Sequence, residues 1–152
     1  MKIFCVGRNY KAHAEELQNE VPTEPVIFIK PKSALVSRYA HFYYPQFTNE
    51  LCYEAELVLQ ICKNGKYISS HNGWQYYNAI TVGIDFTARD VQNELKKKGL
   101  PWEKAKGWDG SAAVGSFQQF PSARFKSPFN FHLTKNDEIV QQASSEEMIF
   151  SF

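Results

Sequence analysis

In the run Tyr53-Glu54-Ala55-Glu56-Leu57-Val58-Leu59, two carboxylates stand two positions apart inside an otherwise apolar segment. Side chains alternate between faces along a strand, so Glu54 and Glu56 share one face. Burying two like charges side by side is costly unless a cation or basic groups neutralise them. Oxygen-only donors suit magnesium, manganese or calcium, and no His or Cys cluster competes for zinc. The pattern equally suits a strand edge turned to solvent, where the pair needs no ligand.

The run Gly83-Ile84-Asp85-Phe86-Thr87-Ala88-Arg89-Asp90-Val91-Gln92 ends an apolar strand on Asp85 and opens a helix, with Thr87 expected as its N-cap. Arg89 and Gln92 are then three apart on one helix face, where one can grip a carboxylate bidentately and the other hydrogen-bond it. A plain Asp85–Arg89 ion pair is the competing reading. In Lys104-Ala105-Lys106-Gly107-Trp108-Asp109-Gly110-Ser111, a Gly-flanked turn carries Lys106, which could bring a point charge to a developing enolate or carboxylate. As a loop lysine it could as well be merely solvated. Lys96-Lys97-Lys98 reads as a solvated helix end favoured by the dipole, not as a nucleic-acid site. Finally, His13 and Glu16 fall three apart on a short amphipathic helix, and a histidine oriented by a carboxylate is a usable base near neutral pH. A bare pair of this kind is also common surface decoration. His41, His71 and His132 suggest nothing sharper.

These groups must be held by sheet. Apolar runs bounded by Gly, Pro and Asn predict strands at Ile3–Val6, Val26–Lys30, Leu51–Cys62, Ile80–Phe86, Ala112–Phe120, Phe129–Thr134 and Glu138–Gln142. Asn136-Asp137 is a good hairpin turn, because both residues tolerate positive φ. Helices are expected over Tyr10–Asn19 and Ala88–Lys98, the second stopped by Gly99 and Pro101, with a helical turn around Trp74–Tyr77. The expected class is therefore mainly β with short helices, α+β, in a single domain over 1–152 without repeat or linker. Ser144-Ser145-Glu146-Glu147 has the form of a capping box ahead of Met148, Ile149, Phe150 and Phe152, which predicts a helix opening there and a chain that continues.

Bulk composition narrows the classes of partner. With 43% hydrophobic and 22% charged residues the chain can bury a core, and 17 basic against 16 acidic residues give no global field for nucleic acid or a membrane surface. An anionic ligand must be caught locally. Cys5, Cys52 and Cys62 lie in or beside apolar runs without ligand spacing and read as buried reduced thiols, which with the absence of a leader-like start points to the cytoplasm. No stretch is long and apolar enough to span a bilayer.

Taken together and in this order, the motifs resemble the fumarylacetoacetate hydrolase family, in particular its short acylpyruvate-hydrolase and oxaloacetate-decarboxylase branch. The resemblance rests on Val6-Gly7-Arg8-Asn9-Tyr10 with His13, Pro25-Val26-Ile27-Phe28-Ile29-Lys30-Pro31, Glu54-x-Glu56, Asp85-x-Thr87-Ala88-Arg89-Asp90-x-Gln92, and Lys97-Lys98-Gly99-Leu100-Pro101-Trp102 leading to Ala105-Lys106. It implies a β-roll-like barrel of mixed sheets, and a homodimer. It implies that Glu54, Glu56 and Asp85 bind Mg2+ or Mn2+ (Ca2+ being a further hard cation of this type), that Arg89, Gln92 and Lys106 hold a 2-oxo acid, and that His13 and Glu16 form a dyad on a lid helix that activates water. The implied activity is C–C hydrolysis of an acylpyruvate, or decarboxylation or tautomerisation of oxaloacetate, through an enolate stabilised by the cation and Lys106.

Two alternatives stay open: a 2-hydroxyhepta-2,4-diene-1,7-dioate-type isomerase, and a non-catalytic metal-binding relative. Retention of both His13 and Glu16 weighs against the latter. A nucleic-acid-binding β domain would need a basic patch interleaved with its aromatics, which is absent. Members of the branch continue past the Met-Ile-Phe-Ser segment with a helix, strands and a Gly-Thr-Pro turn, so the resemblance implies a C-terminally incomplete domain.

Overall fold

The computed structural model describes residues 1–11, 21–37, 39–119 and 128–152. Among these residues three antiparallel assemblies form: a ribbon of β1 (Ile3–Gly7) with β2 (Val26–Lys30), a central sheet in the order β3 (Leu51–Ile61), β4 (Tyr77–Ala88), β5 (Ala112–Val114), and a hairpin of β7 (Asn130–Lys135) with β8 (Glu138–Ser144). A short strand β6 (Gln118–Gln119) also pairs with β4. The parallel component among the described residues is the isolated bridge of Leu35 to Ala112. Among the described residues the helices are α1 (Arg89–Lys97) and α2 (Glu103–Lys106), with 3-10 turns at Lys32–Ala34, Ser70–Tyr76 and Ser145–Glu147. The mainly-β expectation with few helices therefore holds. No helix among the described residues is long and apolar enough to cross a membrane.

The central ladder sets the site. β3 and β4 pair in register from Leu51↔Ala88 to Gln60↔Ala79, with an irregularity only beyond Gln60. On β4 the residues Ala79, Gly83, Asp85 and Thr87 are all buried, a period of two that defines one inner face. Because Glu54 lies directly opposite Asp85, and Glu56 opposite Gly83, both glutamates share that face. The solvent-edge reading of the Glu54-x-Glu56 pair is thereby set aside. The buried apolar set is dominated by small side chains, Ala34, Ala55, Ala79, Ala88, Ala105 and Ala112, and much of the remaining interior is polar: Lys30, Thr48, Asp85, Thr87, Gln92, Lys106 and Ser111. An interior of that composition is a site before it is a hydrophobic core.

Several local expectations are corrected. Thr87 is the penultimate residue of β4, not a cap; α1 begins after Ala88, which gives no side-chain cap bond, and Glu50 O receives the Arg89 amide at 2.8 Å instead. The predicted strand at Ala112–Phe120 breaks into β5 and β6, where the Gly115 amide turns to Val82 O at 2.9 Å, and Phe120 lies outside the described residues. The Ser144 capping box forms, yet it closes one 3-10 turn and the chain then extends through Met148 to bridge Tyr10, so the expected helix does not follow. Asn9 claims the next residues: its side-chain amide pairs both ways with the Phe150 backbone, at 3.0 and 2.8 Å, and its carbonyl accepts from Ile149 N at 2.7 Å. That backbone pairing competes successfully with the helix a capping box would start. Of the cysteines, all unpaired, Cys62 is exposed rather than buried, and Cys5 and Cys52 are half-buried. The Asn136-Asp137 turn forms as expected, with φ of 51° and 66°. Gly99 stops α1 at φ 63° while Leu100 N bonds Leu95 O at 2.9 Å. The helix expected over Tyr10–Asn19 falls, apart from its first residues, outside the described residues.

Candidate active site

Lys106 is the hub. It closes α2, a single turn whose Ala105 and Lys106 amides both bond Trp102 O at 2.9 Å, and it is only 3% exposed, which sets aside the alternative of a solvated loop lysine. Its ammonium donates to Glu54 Oε2 at 2.8 Å, Asp85 Oδ2 at 2.7 Å and Thr87 Oγ1 at 2.5 Å, which uses all three of its protons. Burial alone would lower this lysine, but the charges of Glu54 and Asp85 overcome it and hold it above its usual range. Thr87, misread as a cap, is thus a wholly buried ligand of the ammonium.

Arg89, on the first turn of α1, pairs with Glu54 Oε1 rather than with Asp85, and its other guanidinium nitrogen donates to Gln92 Oε1 at 2.6 Å. The two helix residues meet at the site as their spacing predicts, locked to each other. Burial tends to raise the Glu54 carboxyl, yet Lys106 and Arg89 bring it below the ordinary range.

Lys30 is the residue that the sequence reading left without a role. It is 1% exposed, its ammonium stands 2.8 Å from Asp85 Oδ1, and it donates to Lys106 O and to Ser111 O and Oγ at 3.0 and 3.1 Å. Ser111 Oγ in turn donates to Lys106 O at 2.8 Å, so the backbone of the hub lysine is pinned from two sides. The signal for Lys30 was there in period two, because Val26, Phe28 and Lys30 alternate with the exposed Ile27 and Ile29. Burial depresses the Lys30 ammonium more than Asp85 raises it. Lys30 thus forms a buried ion pair with Asp85 Oδ1 while its ammonium also serves carbonyl and hydroxyl oxygens.

Glu56 is different again. No basic side chain among the described residues pairs with it, and burial, followed by the nearby charges of Glu54 and Asp85, pushes its carboxyl up to about 8. The side chains Glu54, Glu56, Asp85, Arg89, Gln92 and Lys106 therefore share one interior face with Lys30 and Thr87, while His13 and Glu16 lie outside the described residues.

A divalent cation requires hard oxygens, and this face offers only those. Among the described residues no three acidic, His or Cys side chains are drawn into a closed shell, because Glu54 and Asp85 are held by ammonium and guanidinium groups. One observation nonetheless fits such an ion: a buried Glu56 carboxyl without an ion-pair partner among the described residues, beside the charges of Glu54 and Asp85. The donor set fits.

Residues 2–152 match the family model for the fumarylacetoacetate hydrolase C-terminal domain. The chain belongs to the fumarylacetoacetate hydrolase family. It is 38% identical over 151 residues to the mitochondrial oxaloacetate tautomerase FAHD1 of Bos taurus, covering 98% of this chain and 67% of that protein. Among solved structures, a provisionally assigned fumarylacetoacetate isomerase/hydrolase from Oleispira antarctica superposes with a TM-score of 0.89 at 38% identity, over 98% of this chain and 67% of that one. A fumarylpyruvate hydrolase from Pseudomonas aeruginosa, solved with Mn2+ and pyruvate, superposes at 0.83 with 31% identity, over 99% and 67% respectively. The chain thus spans about two thirds of the length of these relatives, and these likenesses place it in the acylpyruvate-hydrolase and oxaloacetate-decarboxylase-like branch of the family.

Proposed function

We propose that this chain is the catalytic portion of a divalent-metal-dependent enzyme acting on small 2-oxo acids. The observation that carries the reading is the shared face itself, on which three carboxylates meet three cationic side chains. Glu54, Glu56 and Asp85 balance Lys30, Arg89 and Lys106 in formal charge, so a divalent ion held by the carboxylates leaves the face positive and ready for an anionic substrate. Relatives named for oxaloacetate tautomerisation and a neighbour holding Mn2+ and pyruvate support the same assignment.

Glu54, Glu56 and Asp85 would hold Mn2+ or Mg2+, with Ca2+ a weaker fit to chemistry of this kind. When bound, the ion supplies Lewis-acid stabilisation of charge developing on the 2-oxo oxygen. Arg89 and Gln92 grip and orient the substrate carboxylate, since the Gln92 carbonyl is turned to Arg89 and its NH2 is left to donate. Lys106, kept protonated by its neighbours, places a fixed positive charge beside the forming enolate. Decarboxylation of oxaloacetate, in which the C–C electron pair passes into the enolate and solvent later returns a proton to carbon, needs no more than this; keto–enol tautomerisation also needs a base for the C3 proton, which solvent water can supply. C–C hydrolysis of an acylpyruvate needs an activated water as well, the role given to His13 oriented by Glu16. Isomerisation of a 2-hydroxydienoate is the nearest variant of the same enolate chemistry.

The test is turnover of oxaloacetate and acetylpyruvate with Mn2+ or Mg2+, alongside the Glu54→Ala variant and a chelator. Activity lost with the carboxylate and on chelation, and hydrolysis alone lost in His13→Ala, is the expected pattern. Metal-independent turnover, or no turnover of either substrate by a metal-loaded protein, would overturn the reading.

A further inference from the structure

β3 is an edge strand of the central sheet, and along its free edge the hairpin of β7 and β8 lies close: Lys135 Nζ stands 5.1 Å from the Tyr53 ring centroid. At one point the hairpin does more than pack. The side-chain amide of Gln141, on β8, engages the backbone of Ala55 in both directions, its Oε1 accepting from Ala55 N at 2.7 Å and its Nε2 donating to Ala55 O at 2.8 Å. Both are short for neutral N–H···O bonds, and both link residues 86 positions apart in sequence.

Ala55 is the residue between Glu54 and Glu56. In an antiparallel strand the backbone groups of successive residues point alternately to either side, so Ala55 offers its N–H and C=O outward from β4 while its two neighbours face the ladder. Gln141 therefore imitates one residue of a further strand at the single position that separates the two carboxylates. An amide is suited to this because it presents one acceptor and two donors on a flat group, matching the peptide edge it meets.

We propose that Gln141 is a positioning residue for the divalent-cation site, clamping the Ala55 peptide so that Glu54 and Glu56 are held at fixed spacing on the inner face. The inference rests on the reading of those carboxylates as cation ligands. It says more than that reading does, since it assigns a role to a residue on a separate hairpin that bonds the backbone between the ligands. Protecting an exposed strand edge would also use such an amide, but that duty can be met anywhere along β3 and does not call for a two-way bond between the carboxylates.

The experiment measures Mn2+ affinity by calorimetry on wild type, Gln141→Leu and Gln141→Glu, with Ser145→Ala as a control. Ser145 Oγ accepts from Phe129 N at 3.0 Å, so its loss loosens the same hairpin away from Ala55. Removing groups that orient metal ligands typically weakens affinity by about 10–100-fold. Gln141→Leu should fall in that range. Gln141→Glu, which keeps the acceptor for Ala55 N and loses the donor, should fall between it and wild type. Ser145→Ala should bind Mn2+ as wild type does even where its melting temperature drops as far as that of Gln141→Leu. Equal affinity in Gln141→Leu and Ser145→Ala, with Mn2+ binding intact in wild type, would overturn the clamp alone. Absence of Mn2+ binding in wild type would instead remove the metal reading, and the clamp with it.

Discussion

Replacing Lys106 by Met keeps an unbranched apolar stem and removes the ammonium that joins Glu54, Asp85 and Thr87. The group is buried, so solvent cannot take over its role. Breaking a buried ion pair from one side costs about 3–5 kcal/mol, because the orphaned charge stays behind. Here Lys30 still faces Asp85 and Arg89 still holds Glu54, which argues for the lower end, about 3 kcal/mol. For a domain of this size each kcal/mol moves the melting temperature by roughly 2–4 °C, giving a drop of about 6–12 °C in chelator. The same logic predicts what Mn2+ does. In wild type the incoming ion must share Glu54 and Asp85 with the ammonium, whereas in Lys106→Met it supplies the missing charge, so Mn2+ should raise the melting temperature of the variant by more than that of wild type. Thermal unfolding of both proteins, with chelator and with a Mn2+ series, reads both quantities. A variant that melts with wild type in chelator, or an equal Mn2+ shift in the two, would refute the reasoning.

Glu56 gives a pH dependence with a defined sign. Its carboxyl is raised to about 8 in the folded chain, so the metal-free protein loses stability as pH rises from the ordinary glutamate range toward 8, and below that value a binding ion must displace the proton. Calorimetry of Mn2+ binding at pH 6 in buffers of different ionisation enthalpy should show close to one proton released, and pH-independent affinity between 6 and 8 would contradict it. Gly83 faces Glu56 across the ladder, and a Cβ there would meet Ala113 O at 2.8 Å and Val58 Cγ2 at 2.9 Å. Gly83→Ala should therefore cost about 1–3 kcal/mol by overpacking; a denaturant midpoint unchanged from wild type would show that the ladder gives way freely.

What could be read from the chain alone follows the range of the interactions. Period two is a local property, so β2 and β3 and the common face of Glu54 and Glu56 were legible. The Asn136-Asp137 turn was too, because positive φ is decided by two residues. Helix α1 was legible to within a residue at both ends, with Gly99 stopping it, but Thr87 ahead of it was misassigned as a side-chain cap. Thr87 has the chemistry of a cap, and only the approach of Lys106 from α2 fixes its hydroxyl in the interior. The capping box at Ser144 failed as a helix signal for the same reason. It satisfies the first turn, and the distant Asn9 then takes the backbone that a second turn would need. Lys30 shows the limit most clearly. Its phase with Val26 and Phe28 marked it as inward, but lysines are so seldom wholly buried that phase alone could not outweigh residue type. What outweighs it is a set of oxygens from Asp85, Lys106 and Ser111, brought to it by contacts between residues far apart in the chain. The carboxylates were visible as a problem of charge, and Lys106 was legible from its motif; that Lys106 and Lys30 together answer that charge is visible only once β2 and α2 pack against the ladder, because the compensation belongs to the fold and not to any segment of it.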